Sequence, residues 1–228
     1  MTNLVWPSGL FHCPDPVLRL SGQSQFGGGA IDGGPTQIID TTAGGFWRVD
    51  LDGLHIKGRQ NVLALEQWRS LIGSGSQAFI LPLYQARSQI AGATPTRTIE
   101  SDAYPARVSF SASSYAQSIT ATITANAALR ATTLQITCTS VIKGGKVSFV
   151  DTGGKWRTHE LVVKGAVSGN NQTFEIRPPL RTAVTAGASV YLSHCFLSAV
   201  VEPDSFKIDY HPTTKNYARA SLKMFEVR

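Results

Sequence analysis

Over residues 106–195 the chain offers one short alternating run after another and no stretch of helical period. The runs are ARVSFSA, QSITATIT, LQITCTS, KVSFV, HELVV, TFEIRP and SVYLSH. Lys143-Gly144-Gly145, Thr152-Gly153-Gly154 and Ser168-Gly169-Asn170-Asn171 punctuate them. Alternation buries one face of a strand, and glycine or asparagine between runs supplies turn geometry. Short strands at this spacing, with no helix to cover them, close on one another as a small barrel or sandwich.

The flanks read differently. After the turn-rich residues 1–43, Trp47, Val49 and Leu51 alternate with Arg48, Asp50 and Asp52, the pattern of a half-buried strand. Asp52-Gly53 is a hairpin signal, with Leu54-His55-Ile56-Lys57 as the second strand. Val62, Leu65, Trp68 and Ile72 then fall at helical spacing and predict one α-helix over residues 61–72, with Asn61 as N-cap and Gly73 or Gly75 as stop. Its apolar stripe is a core face, since one amphipathic helix on a sheet needs one. AFILPLY is a short apolar strand, and residues 85–105 are a polar connection. Phe206, Ile208 and Tyr210 alternate near the end, a turn follows at residues 212–216, and ARASLKMFEVR is a final strand. The fold expected is mainly β, with residues 1–105 and 196–228 forming one domain and 106–195 inserted as a second. Residues 21–45 form a glycine-rich loop or arm.

Charge follows the same division. Of 21 Lys and Arg and 15 Asp and Glu, residues 106–195 hold nine and three, a balance of +6. That leaves 12 of each elsewhere, so the flanks are neutral. A basic β module suggests nucleic acid, but Phe149, Phe174 and Tyr191 occupy alternating core positions. Only Trp156 stands directly between charges, so nucleic acid is not the expected partner. A basic surface facing an acidic neighbouring subunit is at least as natural. Three cysteines, Cys13, Cys138 and Cys195, cannot all pair within one chain, and none forms a CxxC. That suits a reducing cytoplasm, with Cys138 as a small buried hydrophobe. No apolar run approaches the length of a membrane span, and the first residues, MTNLVWPSGLFHCPDP, lack a signal peptide's regions.

No arrangement in the sequence makes an enzyme. His12, His55, His159, His194 and His211 have no metal spacing, and His194-Cys195 reads as structural. Asp50 and Asp52 share a strand face but read as solvated. The GGG of residues 27–29 lacks the strand, GK[ST] and helix of a phosphate loop. No catalytic residue, cofactor or metal is expected. FEIRPPLR holds two prolines between strands; proline cannot extend a ladder within a sheet, so the stretch is a strand end and corner. Arg177 and Arg181 there, with Trp156 and Arg157, are the candidate contacts to a subunit or partner.

Two blocks carry a resemblance. The first is GGFWRVDLDGLHI, LALEQWRSLIGSG and QAFILPLY; the second runs from LQITCTS through GGKWRTHELVV and TFEIRPPLR to SVYLSH. Together they resemble the distal tail protein family of long-tailed (siphovirus-type) bacteriophages, in a short form with a tube-like β-sandwich or barrel domain and an inserted OB-like β-barrel. The resemblance covers roughly residues 44–228. It implies a structural virion protein, made in the host bacterial cytoplasm, forming a ring at the tail tip, usually hexameric. Such a ring joins the tail tube protein to the tail-tip hub or baseplate protein and to fibres. The neighbouring readings are another tail component, such as a tube or tail-completion subunit, or a nucleic-acid- or carbohydrate-binding β module.

Overall fold

A computed structural model describes residues 4–7, 16–21, 24–26, 38–40, 45–73, 75–83, 88–90, 121–192, 195–211 and 216–227. In chain order its elements are β1 Leu4–Val5, β2 Val17–Ser21, β3 Ser24–Phe26, β4 Ile38–Asp40, β5 Phe46–Lys57, α1 Arg59–Ile72, β6 Phe79–Leu83, β7 Ser88–Ile90 and β8 Ala121–Ile123. They continue with β9 Thr133–Cys138, β10 Ile142–Val150, β11 Trp156–Ser168, β12 Asn171–Arg177, β13 Ser189–Val190, β14 Cys195–Val201, β15 Lys207–Tyr210 and β16 Tyr217–Glu226. The chain is mainly β, with one helix among the described residues. Most of the expected arm (residues 21–45) lies outside the described residues, as do ARVSFSA, most of the connection at 85–105, and nearly all of the turn at 212–216.

One seven-stranded sheet has the order β1-β6-β14-β16-β5-β2, with β15 beside the first part of β16. α1 packs on it through Val62, Leu65 and Ile72. Trp68 completes a ring cluster with Trp6 and Phe79, with centroids 5.7 to 6.0 Å apart. The second sheet has the order β13-β8-β9-β12-β11-β10-β7. It curls until Ser148 and Tyr191 exchange both backbone hydrogen bonds (3.1 and 2.8 Å), which nearly closes it into a barrel. β7 joins this sheet from the N-terminal side of residue 106. Each sheet has its own apolar core, and Cys138 is buried in that of the barrel.

Three local expectations are corrected. Asp52-Gly53 is not a hairpin: β5 runs through it. Leu51 pairs with Leu222 and Leu54 with Ala220, so Asp52 and Gly53 together oppose Ser221 as a bulge. The extra residue shifts the buried parity from Trp47, Val49 and Leu51 to Leu54 and Ile56, keeping one face on one core. Gly53 has φ +71°, a conformation side chains resist. Next, α1 starts at Arg59 behind Gly58, and the Asn61 amide donates to Lys57 O rather than capping. Finally, Lys143-Gly144-Gly145 lies inside β10, at a register shift against β7, and is not a turn.

Gly53 and Gly75 predict a graded pair. A Cβ at Gly53 meets nothing within 4 Å, so Gly53→Ala costs only the left-handed penalty, about 1–2 kcal/mol. At Gly75 (φ +72°) the Cβ would stand 2.7 Å from Val201 O. Gly75→Ala therefore destabilises more than Gly53→Ala in urea unfolding.

Candidate functional site at the junction of the sheets

The junction forms where the first sheet has a notch. β14 pairs with β6 over Cys195–Ala199, but β16 reaches only Ala199–Val201. Beside Phe196, β14 therefore has no strand partner on one side, whereas Ser198 O still accepts from Val227 N (2.9 Å) just past β16. Barrel side chains fill the gap. Phe196 N donates to Ser148 Oγ (3.0 Å), and Thr158 Oγ1 donates to Phe196 O (2.9 Å). Trp156 N donates to Ser198 Oγ (2.9 Å), and Trp47 Nε1 donates to Thr158 O (2.6 Å). An unpaired buried backbone group costs about as much as a lost hydrogen bond, so the Ser148 and Thr158 hydroxyls complete the ladder at Phe196, and Ser198 Oγ and the Trp47 indole serve the backbone of β11 in return.

Beside them lies a buried ionic cluster. Arg157, 3% exposed, donates from Nε to Asp151 Oδ2 (2.9 Å) and from Nη1 to Glu226 Oε1 (3.0 Å) and Val227 O. Glu226 Oε2 accepts from Trp47 N (3.2 Å) and lies 3.9 Å from Arg181 Nε. Arg181 Nη2 donates to Gly45 O (2.6 Å). Burial pushes the Glu226 carboxyl above its ordinary value, and Arg157 with the Trp47 N–H pulls it back only in part. Burial also opposes ionisation of Asp151. There, hydrogen bonds from Lys155 N, Thr182 and Arg157 win, so its carboxyl stays below the ordinary value.

His159 stands inside the barrel, 1% exposed, stacked on Phe149 with centroids 5.1 Å apart. Its Nδ1 pairs with Pro178 O at 2.7 Å. Burial lowers its pKa to about 4, so the ring is neutral at pH 7 and Nδ1 carries the proton it donates. Nε2 has no partner among the described residues.

The candidate contact residues separate. Arg157 is inside the molecule, because the register sets it opposite Phe149. Arg181 is partly buried at the junction. Trp156 packs against Tyr191 (4.9 Å) and Phe196 (4.7 Å). Only Arg177 is exposed, across from Glu160 at the end of β12. FEIRPPLR is a strand end and corner: β12 stops at Arg177, the Arg177–Pro178 peptide is cis, and Leu180 is buried with its N–H on Ala131 O. Asp151 was within reach of sequence reasoning, six residues before Arg157 across a Gly153-Gly154 turn. Glu226, 69 residues away, gave no signal.

Among the described residues no group of three or more His, Cys, Asp or Glu could hold a metal ion. His12, Cys13 and His194 lie outside the described residues. Burial pushes the Cys195 thiol up to about 12, so it is inert toward thiolate chemistry at neutral pH. No described helix is long and apolar enough to cross a membrane. Compared with known proteins, the sequence matches no family model and no curated protein.

Two measurements test this junction. Arg157→Ala removes the cation that Asp151 and Glu226 share, leaving Glu226 only the Arg181 cation at 3.9 Å among the described residues, and costs about 3–5 kcal/mol in chemical denaturation. His159 sets a pH dependence. The unfolded chain takes up its proton near pH 6.5 and the folded chain only near pH 4. Its contribution is complete above about pH 6.5 and is lost as pH falls toward 4, about 3 kcal/mol in all. Stability measured across that window falls less steeply for His159→Gln than for the parent chain.

Proposed function

We propose that this chain is a structural ring subunit of a bacteriophage tail tip, joining the tail tube to the hub and fibres. The observation that carries the reading is the pair of open edges on the first sheet. β2 pairs with β5 alone, so its far side has no described partner. At the other end, β1 covers only Phe79 and Ile80 of β6, leaving Leu81–Leu83 open on that side among the described residues. Two open edges on opposite sides of one sheet suit a head-to-tail contact repeated around a closed ring, in which each subunit covers its neighbour's edge. The barrel, mounted through a polar and ionic junction, is the docking part, with Arg177 on its exposed surface.

Size-exclusion with light scattering and negative-stain imaging, alone and with tail tubes, test the reading. The expected product is a hexameric ring at the tube end. Val17→Lys places a charge on exposed β2 and is expected to abolish the ring while far-UV circular dichroism stays unchanged. A chain that remains monomeric both alone and on tubes overturns the proposal.

A further inference from the structure

The solvent face of the first sheet divides into two electrostatic halves. Near β2 most charges are paired: Asp50 lies 3.3 Å from Arg48 and 3.8 Å from Arg19, and Arg48 also meets Glu202 at 3.3 Å, while exposed Lys223, opposite Asp50, makes no ion pair among the described residues. Toward the far end of β5 they are not. Lys57, Arg219 and Lys207 are all exposed, and none makes an ion pair among the described residues.

Strand register arranges these three cations. Lys57 pairs with Tyr217, Arg219 with His55 and Asp209, and Lys207 with Ser221. Their alternate neighbours Ile56, Ala218 and Ala220 are buried, so the three share the outward face. Each step from Lys57 on β5 to Arg219 on β16 to Lys207 on β15 moves one strand across and two residues along. Diagonal neighbours of this kind lie about 7–8 Å apart. The result is a slanting row of cations across three strands. Beside its upper end stand the rings of Tyr217, His55 and His211, with centroid separations of 6.0 and 6.5 Å about Tyr217. The acids on this part of the face are Asp209, between Arg219 and Lys207, and Asp52 at the bulge.

We propose that this face binds single-stranded DNA, its phosphates following Lys57, Arg219 and Lys207 and a base stacking at the Tyr217 ring. A regularly spaced cation row complements a phosphodiester backbone, and an aromatic beside it accepts any base, which is how sheet surfaces hold single strands. This is a different surface from the basic barrel, and the inference stands independently of ring formation.

Fluorescence anisotropy with a labelled oligo-dT tests it on the full chain. Three phosphate contacts on a single strand give a log K against log salt slope of about −2. Lys57→Ala, Arg219→Ala and Lys207→Ala are each expected to weaken binding and to flatten that slope by about 0.7. The triple variant is expected to lose binding, and a barrel variant, Lys143→Ala with Arg177→Ala, to keep it. Tyr217→Ala weakens oligo-dT binding but leaves binding of an abasic deoxyribose-phosphate oligomer unchanged, separating stacking from charge. Far-UV circular dichroism checks that each variant is folded. No binding by the parent chain, binding that survives the triple variant, loss of binding in the barrel variant, or equal affinity for oligo-dT and the abasic oligomer overturns the proposal.

Discussion

Arg157 lies where the two halves of the molecule meet, and the arrangement of both depends on what it holds. Its guanidinium takes Asp151 from the turn that ends its own hairpin and Glu226 from the last strand of the other sheet. The two apolar cores share no residue. Burying such charges is expensive, and a buried ion pair adds little net stability over well-packed apolar groups. What it adds is direction. A planar guanidinium meets its carboxylates in few geometries, so the barrel is held at a defined angle on the sheet. The hydroxyls of Ser148 and Thr158, which complete the open flank of β14 at Phe196, and that of Ser198, which takes the Trp156 N–H, work toward the same end, each bond contributing about 1 kcal/mol.

This architecture changes what the charge distribution means. The excess of +6 in residues 106–195 suggested a basic surface, yet Arg157 is wholly inside and Arg181 is turned toward Glu226 and Gly45. The flanks, neutral in sum, nevertheless carry an uneven face, with ion pairs gathered around Asp50 and none at Lys57, Arg219 and Lys207 among the described residues. Net charge counts groups without regard to burial or pairing, whereas a local field depends on both.

Much of the first sheet was legible in residue order. The alternation at Trp47, Val49 and Leu51, the helical stripe through Val62, Leu65 and Ile72, and the final strand all emerged as read, because each pattern is a local consequence of one buried face. The misreadings share a cause. Asp-Gly serves a hairpin or a bulge equally well, since both need a backbone with positive φ. Only the pairing partner Ser221 makes it a bulge. Gly144-Gly145 likewise became part of a strand because β7 and β11 flank it. Gly58 displaced Asn61 as the start of the helix because β5 hands the chain over there.

The sequence by itself determined the mainly β character, the single predicted helix, the position of the strand end at FEIRPPLR and the burial of Cys138. These follow from periodicity, backbone freedom and side-chain polarity, which act over a few residues. Tertiary structure alone decided that Glu226 would meet Arg157, that Pro178 O would hold a neutral His159, and that three cations on three strands would fall into one diagonal row. Those outcomes depend on register and on contacts between residues far apart in the chain. A local pattern states which face is buried, but not what lies against it.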